Sequence, residues 1–429
     1  MYAVPSHFLL LASSVTSVIA APTLLIDSCL STALAASSTP IPPTNDSWYI
    51  PDGTSWRTAQ PGDVLRFRNA LGDATIGGAA SAVYNILYRT TDSHNNPSWA
   101  VTTVYAPADV NDTNGFKMLS YQHLYDSADL NQSPSYLIYD KSDKGSALSL
   151  FIQQYLKKGW FVNVPDYEGP KAAFGSGHVA GRATLDSVRA FRNAAQCVGV
   201  PTNSDGGVSL KYAMYGYSGG SFATEWAVEL QKQYAPELQF SGAAVGGLYP
   251  NLTKTLEILP KIEGFEGYLR EGIIGIGNEH EEVQALALLI LGKSTWAEAA
   301  AVVRSMSSEE LQVAVNQIMG DQTVKEILTE DGLMGTHDPP QMPLFIHRAD
   351  QDQLSASSDT TELYDAYCKL GASVYYHLNP AQVDDPHVSE ALNGASEYVL
   401  GYLDQMYEEK FPAGCGTVNA TWSWNLTMT

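Results

Sequence analysis

The sequence predicts an α/β fold: a mainly parallel sheet covered by helices and interrupted by a long helical insertion. Three observations carry this. Strand and helix patterns alternate between residues 83 and 245, the order that builds parallel sheets. A glycine-flanked turn, Gly216-Tyr217-Ser218-Gly219-Gly220, joins a short apolar strand to a helix. From residue 258 to 334 the strand signal vanishes, and it returns at Pro343-Leu344-Phe345-Ile346-His347.

The elements follow in order. Residues 83–88 and 99–105 are rich in β-branched and aromatic residues, which suits strands, and 116–121 make another. Residues 146–158 carry helical periodicity. Trp160-Phe161-Val162-Asn163-Val164 is a strand stopped at Pro165-Asp166. An amphipathic helix over 182–196, a buried strand at 212–215, a helix over 221–234 and a strand at 240–245 complete the alternation. The stretch 258–334 is rich in Ala, Leu and Glu, as in Trp296-Ala297-Glu298-Ala299-Ala300, and reads as a helical cap. After it come a strand at 343–347, a helix over 360–370, a strand at 373–378 and a last helix over 388–407. The expected organisation is a signal peptide (1–20), an N-terminal linker (21–47), a core in two parts (48–257 and 335–429, the latter with the C-terminal tail), and the cap (258–334) between them.

Composition narrows the setting. With 429 residues, 45% of them hydrophobic, the chain can bury a sizeable core. Lys and Arg number 24 against 46 Asp and Glu, a formal charge of −22. That balance argues against nucleic acid or an anionic membrane as partner and suits a soluble extracellular protein acting on neutral substrates. His7-Phe8-Leu9-Leu10-Leu11-Ala12 opens an apolar run that ends in small residues near Ala20, the pattern of a cleaved leader. No Lys or Arg precedes the run, and residues 33–36 offer a later cleavage site. The run is short for a single-pass anchor, as is the apolar stretch 283–291. Glycosylation sequons begin at Asn45, Asn111, Asn131, Asn251, Asn419 and Asn425. The cysteines, Cys29, Cys197, Cys368 and Cys415, form no C-x-x-C pair and no metal-like spacing. Disulfides are expected, with three pairings open.

The chemistry centres on Ser218. G-x-S-x-G between a strand and a helix is the nucleophile-elbow pattern: the turn strains the serine backbone and lifts its hydroxyl above the sheet edge. An ordinary Gly-rich turn is the plainer alternative in a chain with 35 glycines, and the strand–turn–helix context favours the elbow. A serine needs a base, and in this architecture the order is Ser, acid, His. Of His280, His337, His347, His377 and His387, the last lies in a loop, Asp384-Asp385-Pro386-His387, between the final strand and the final helix, where the base belongs. The acid should follow the strand 343–347, which leaves Asp350, Asp352 and Asp359. Spacing alone does not separate Asp350 from Asp352. The Gly219 N–H is one donor for a tetrahedral oxyanion. A second should come from Leu124-Tyr125-Asp126-Ser127.

Gly216-Tyr217-Ser218-Gly219-Gly220-Ser221, Tyr234-Ala235-Pro236-Glu237-Leu238 and Asp166-Tyr167-Glu168-Gly169-Pro170-Lys171-Ala172-Ala173-Phe174 resemble the fungal secretory lipases of the Candida antarctica lipase A type, over residues 48–415. The resemblance implies an α/β-hydrolase fold with a helical lid, a Ser/Asp/His triad, and neither cofactor nor metal. It puts the triad on Ser218, Asp352 and His387, the acid being counted back from Cys368. It nominates Asp126, as a protonated side chain, for the oxyanion. It pairs Cys368 with Cys415, leaving Cys29 with Cys197 if the leader is cut before Cys29. The activity it implies is hydrolysis of a neutral carboxylic ester: first a triacylglycerol lipase working at a lipid–water interface, second an esterase that deacetylates a fungal secondary metabolite such as a trichothecene. The intact triad speaks against a non-catalytic hydrolase-like binding protein. The cap, with its apolar runs Gly272-Ile273-Ile274-Gly275-Ile276 and 286–291, is expected to line the acyl pocket.

Overall fold

A computed structural model describes residues 39–110, 115–201, 208–394 and 398–419. The leader, Cys29, Asn111 and Asn425 lie outside the described residues, and so does the expected Cys29–Cys197 pair.

Among the described residues one sheet holds β1 (Val64–Asn69), β2 (Ala80–Thr91), β3 (Pro97–Pro107), β4 (Phe116–Gln122), β5 (Phe161–Pro165), β6 (Leu210–Tyr217), β7 (Gly242–Gly246), β8 (Leu344–Ala349), β9 (Val374–Asn379) and β10 (Gly416–Asn419). Their spatial order is β1-β2-β3-β5-β4-β6-β7-β8-β9-β10. The pairs from β1 to β5 are antiparallel, and every pair from β5 across to β10 is parallel. Every residue of β5, β7 and β8 is buried. Such strands read as apolar runs rather than alternations, which is how the sequence marks them. β7, Gly-Ala-Ala-Val-Gly, is small for a reason: a Cβ on Gly242 would lie 2.3 Å from Met406 Sδ, and one on Gly246 2.2 Å from the His347 ring.

The first helices are α1 (Pro134–Leu137), α2 (Asp143–Leu156), α3 (Gly177–Asn193) and α4 (Gly219–Tyr234). Between β7 and β8 the chain is helical: α5 (Leu252–Ile258), α6 (Glu266–Glu279), α7 (Glu281–Leu291), α8 (Trp296–Ser305), α9 (Ser308–Gly320) and α10 (Gln322–Gly332). Side-chain caps set the starts. Asn251 accepts from the Lys254 N–H, and Thr295/Glu298 and Ser307/Glu310 form reciprocal capping boxes. The Asn251 cap starts the helical run at Leu252, ahead of the expected residue 258. No single helix among the described residues is long and apolar enough to cross a membrane; α7 and α8 pass that test only as a pair, bent by 65°.

After β8 come α11 (Ser357–Lys369), α12 (Pro386–Gly394) and α13 (Tyr398–Tyr407). The helix expected over 388–407 is described as α12 and α13, and residues 395–397 between them lie outside the described residues. Two strands were not foreseen. β1 has the alternation, with Arg66 and Arg68 paired to Asp52 and Asp46 on its polar side. The four described residues of β10 are too few for a periodic signal; they add to the β9 edge just after Cys415, which is bridged to Cys368.

Candidate active site

β6 runs straight into the turn at Ser218, whose backbone sits at φ 53°, ψ −124° before α4 begins at Gly219. A side chain in that region is strained and persists only where the surroundings impose it. The flanking glycines show what imposes it. A Cβ on Gly216 would lie 2.0 Å from Gly220 O, and one on Gly220 would lie 1.9 Å from Gln122 O.

His387, in the first turn of α12, places Nε2 2.7 Å from Ser218 Oγ. Its Nδ1 lies 2.8 Å from Asp352 Oδ2, and Asp352 Oδ1 accepts from the Leu354 N–H at 2.9 Å. Ser218, His387 and Asp352 are buried. Burial alone would raise the Asp352 carboxyl; the His387 and Arg348 charges outweigh it and hold the group below its ordinary range. The neighbouring acids go elsewhere. Asp350 is exposed, and Asp359 bonds Lys254 Nζ at 2.7 Å. The other downstream histidines are likewise engaged away from Ser218. His280 meets Asp331, His337 meets Glu229 and His347 meets Glu390, while His377 sits within β9.

Three supports carried no sequence signal. Tyr217 OH donates to His387 O at 2.7 Å, the His387 N–H donates to Gln353 Oε1 at 3.3 Å, and the buried Arg348 sets the charge beside Asp352. Tyr217 and Gln353 reach His387 from far along the chain, where no local motif forms, and Arg348, though near Asp352 in sequence, is told from a surface arginine only by its burial.

Asp126 follows β4 at φ 44°, and its carboxyl presses against the start of α4: a Cβ on Gly219 would lie 1.6 Å from Asp126 Oδ1. Among the described residues, Oδ1 is buried and has no hydrogen-bond partner. Burial pushes the group up to about 6, against the lowering effect of Lys144 and His387. The loop is propped by the segment after β5. Tyr167 OH donates to His123 O at 2.7 Å, the Glu168 N–H donates to Tyr125 OH at 2.8 Å, and the two tyrosine rings lie 4.8 Å apart. The Asp166-Tyr167-Glu168 motif thus holds the strand-end loop that carries Asp126.

Ser218, His387 and Asp126 border a cavity of ≈ 80 Å³ whose walls include Leu252, Leu256, Phe265, Tyr268 and Gly272. Of the apolar runs expected to line it, only Gly272 does. Gly275 instead backs onto Phe174, where a Cβ would lie 2.4 Å from the carbonyl oxygen, and Leu289 is 79% exposed. A serine hydroxyl bonded to an imidazole that is itself bonded to a buried carboxylate is equipped for acyl transfer.

A family model described as secretory lipase matches residues 146–414. The chain belongs to the secretory lipase family. Over 408 residues it is 35% identical to a trichothecene C-3 esterase of Fusarium sporotrichioides, covering 89% of each chain. Over 411 residues it is 33% identical to Lipase A of Arthroderma benhamiae, covering 89% of this chain and 83% of that one. The X-ray structure of Candida antarctica lipase A in its closed state superposes with a TM-score of 0.73 at 25% identity, covering 90% of this chain and 91% of the other. This secretory lipase family member has the α/β-hydrolase fold, and its class is that of lipases and esterases, hydrolases of carboxylic esters.

Proposed function

We propose that the chain is a secreted serine hydrolase of neutral carboxylic esters, acting first on acylglycerols. The observation that carries this is the 2.7 Å contact between Ser218 Oγ and His387 Nε2 at an apolar cavity. In this reading His387 takes the Ser218 proton as the oxygen attacks the acyl carbon, and Asp352 holds the imidazole in the required tautomer and stabilises its charged form. The oxyanion meets the Gly219 N–H and a protonated Asp126 carboxyl, a state favoured by burial. His387 then protonates the leaving alcohol, and water repeats the sequence on the acyl-enzyme. The helices between β7 and β8 act as the cap over the acyl chain. Secretion rests on the family's name, the leader pattern and the sequons.

A second reading, an esterase for an acetylated secondary metabolite, is favoured by the small cavity and by the relative named a trichothecene C-3 esterase. Hydrolysis of p-nitrophenyl esters from acetyl to palmitoyl, run beside emulsified triglyceride, separates the two. A lipase prefers the longer esters and gains activity at the emulsion surface. A metabolite esterase prefers acetyl and ignores the surface. No turnover of any ester would refute both.

A further inference from the structure

A second cluster of chemistry-bearing side chains lies away from Ser218, where the β2–β3 turn meets the helices between β7 and β8. His94 belongs to the turn between Thr91, the last residue of β2, and Pro97, the first of β3. His280 joins α6 to α7, and Glu282 stands in the first turn of α7. One ligand atom from each of His94, His280 and Glu282 falls within 4.8 Å of the other two. Beside them is a cavity of ≈ 180 Å³, separate from the cavity at Ser218, lined by all three together with His178, Ser93 and Asp331.

We propose that His94, His280 and Glu282 bind a divalent transition-metal ion of the zinc class. The donor set points to that metal: two imidazoles and one carboxylate suit zinc and its neighbours, whereas calcium and magnesium take oxygen ligands. The surroundings point the same way. Ligating histidines usually pass the proton of their other nitrogen to a carboxylate, which fixes the tautomer and the ring. His280 has such a partner, and His94 has a carboxylate beside its ring. His280 Nε2 lies 2.9 Å from Asp331 Oδ2, which leaves Nδ1 to ligate. His94 Nδ1 lies 3.4 Å from Glu279 Oε1, which leaves Nε2. The two orienting acids are themselves fixed: Asp331 also takes the His178 N–H at 2.6 Å, and Glu279 takes the Ser93 N–H at 2.9 Å. Glu279 and Asp331 are buried, so the orienting shell is built into the fold, while His94 and Glu282 are exposed and reachable from solvent.

Bound there, the ion would tie the β2–β3 turn of the sheet to the far end of α6. That helix carries Tyr268 and Gly272 at the acyl cavity and Glu279 at the metal cluster. The ion therefore anchors one end of the helix whose other end shapes the substrate site.

The test uses the full-length secreted protein, stripped with EDTA and dialysed, with zinc chloride alone as the probe. Calorimetric titration should show one zinc per chain, and excess zinc should raise the melting temperature by several degrees. Calcium or magnesium should do neither. The double variant His94→Ala/Glu282→Gln changes only exposed side chains and should melt as the stripped wild type does. It should lose the zinc equivalent and the thermal shift together. No saturable zinc binding by the wild type would overturn the proposal. So would a double variant that binds zinc and gains stability as the wild type does.

Discussion

Gly272 offers the sharpest handle on substrate choice. It lies in α6, lines the acyl cavity, and a Cβ added there would meet only Leu256 Cδ2, at 3.4 Å, an ordinary contact. Gly272→Leu therefore directs a side chain into a space of ≈ 80 Å³ without displacing backbone. A methylene gained or lost in an apolar pocket is worth about 1–3 kcal/mol, or roughly 10–200-fold in discrimination. The ratio of kcat/KM for butyryl and longer esters to that for acetyl should fall by about that factor. Acetyl hydrolysis itself should stay within a few-fold of wild type. Replacing a helical glycine should also stabilise α6 by about 0.5–1 kcal/mol, so the melting temperature should hold or rise. Gly275→Leu is the contrast, because its Cβ would meet the Phe174 backbone at 2.4 Å, and it should destabilise without tuning selectivity. The measurement is a p-nitrophenyl ester series with parallel melting curves. A folded Gly272→Leu enzyme with an unchanged chain-length profile would refute the assignment of this cavity to the acyl chain.

Other expectations follow from the same geometry. Ser218→Ala and His387→Ala should each lower kcat by about 10⁴- to 10⁶-fold, and the double variant little further, since the two act as one unit; near-additive losses in esterase assays would contradict that. Asp352→Asn should lower kcat by about 10⁴-fold by removing the carboxylate that fixes the His387 tautomer, while the exposed Asp350→Asn should turn over normally. For Asp126, Asp126→Leu should lose about 10²–10³-fold in kcat. A protonated donor with its pKa raised to about 6 implies kcat/KM falling above that pH, whereas Asp126→Asn donates at any pH and should lack that limb. The same residue sets a stability signature. Its folded pKa lies above the unfolded value of 3.8, so the fold loses stability as pH rises from about 4 to about 6; Asp126→Asn should recover about 3 kcal/mol at pH 8 and nothing at pH 3, read by urea denaturation. Breaking the Cys368–Cys415 bridge, which closes 47 residues, should cost about 2–4 kcal/mol in the same assay.

Much of this was legible before any coordinates. The parallel strands are buried, so their apolar runs survive as contiguous text, and the serine turn announces itself because only glycine fits on either side. His387 could be chosen because the order of elements dictates where a base must stand. Asp352 could not be separated from Asp350 by residue type, since both are acids in one turn; burial against His387 distinguishes them, and burial is a property of the fold. The helical stretch between β7 and β8 shows the limit most clearly. Periodicity tells which residues of 258–334 are apolar and not which neighbour each one meets, so Gly275, packed on Phe174, reads the same as Gly272, open to the cavity. β10 escaped notice because its four described residues hold no pattern, and Arg348 because residue type does not tell a buried arginine from a solvated one.

The placement of the helices between β7 and β8 bears on how such a chain diversifies. The strained serine, its histidine and its acid come from the ends of β6 and β8 and the start of α12, while seven of the sixteen residues lining the cavity fall within 252–272. On the proposed function, a large part of the recognition surface therefore lies on a stretch that supplies none of the reacting groups. On that reading, substitutions in 252–272 redirect the catalyst to a new ester while the reacting groups stay untouched, and relatives 35% and 33% identical bear the names of a trichothecene C-3 esterase and a lipase. A segment exchange over 252–332 between two such relatives should carry substrate preference with it and leave the speed of acyl transfer behind.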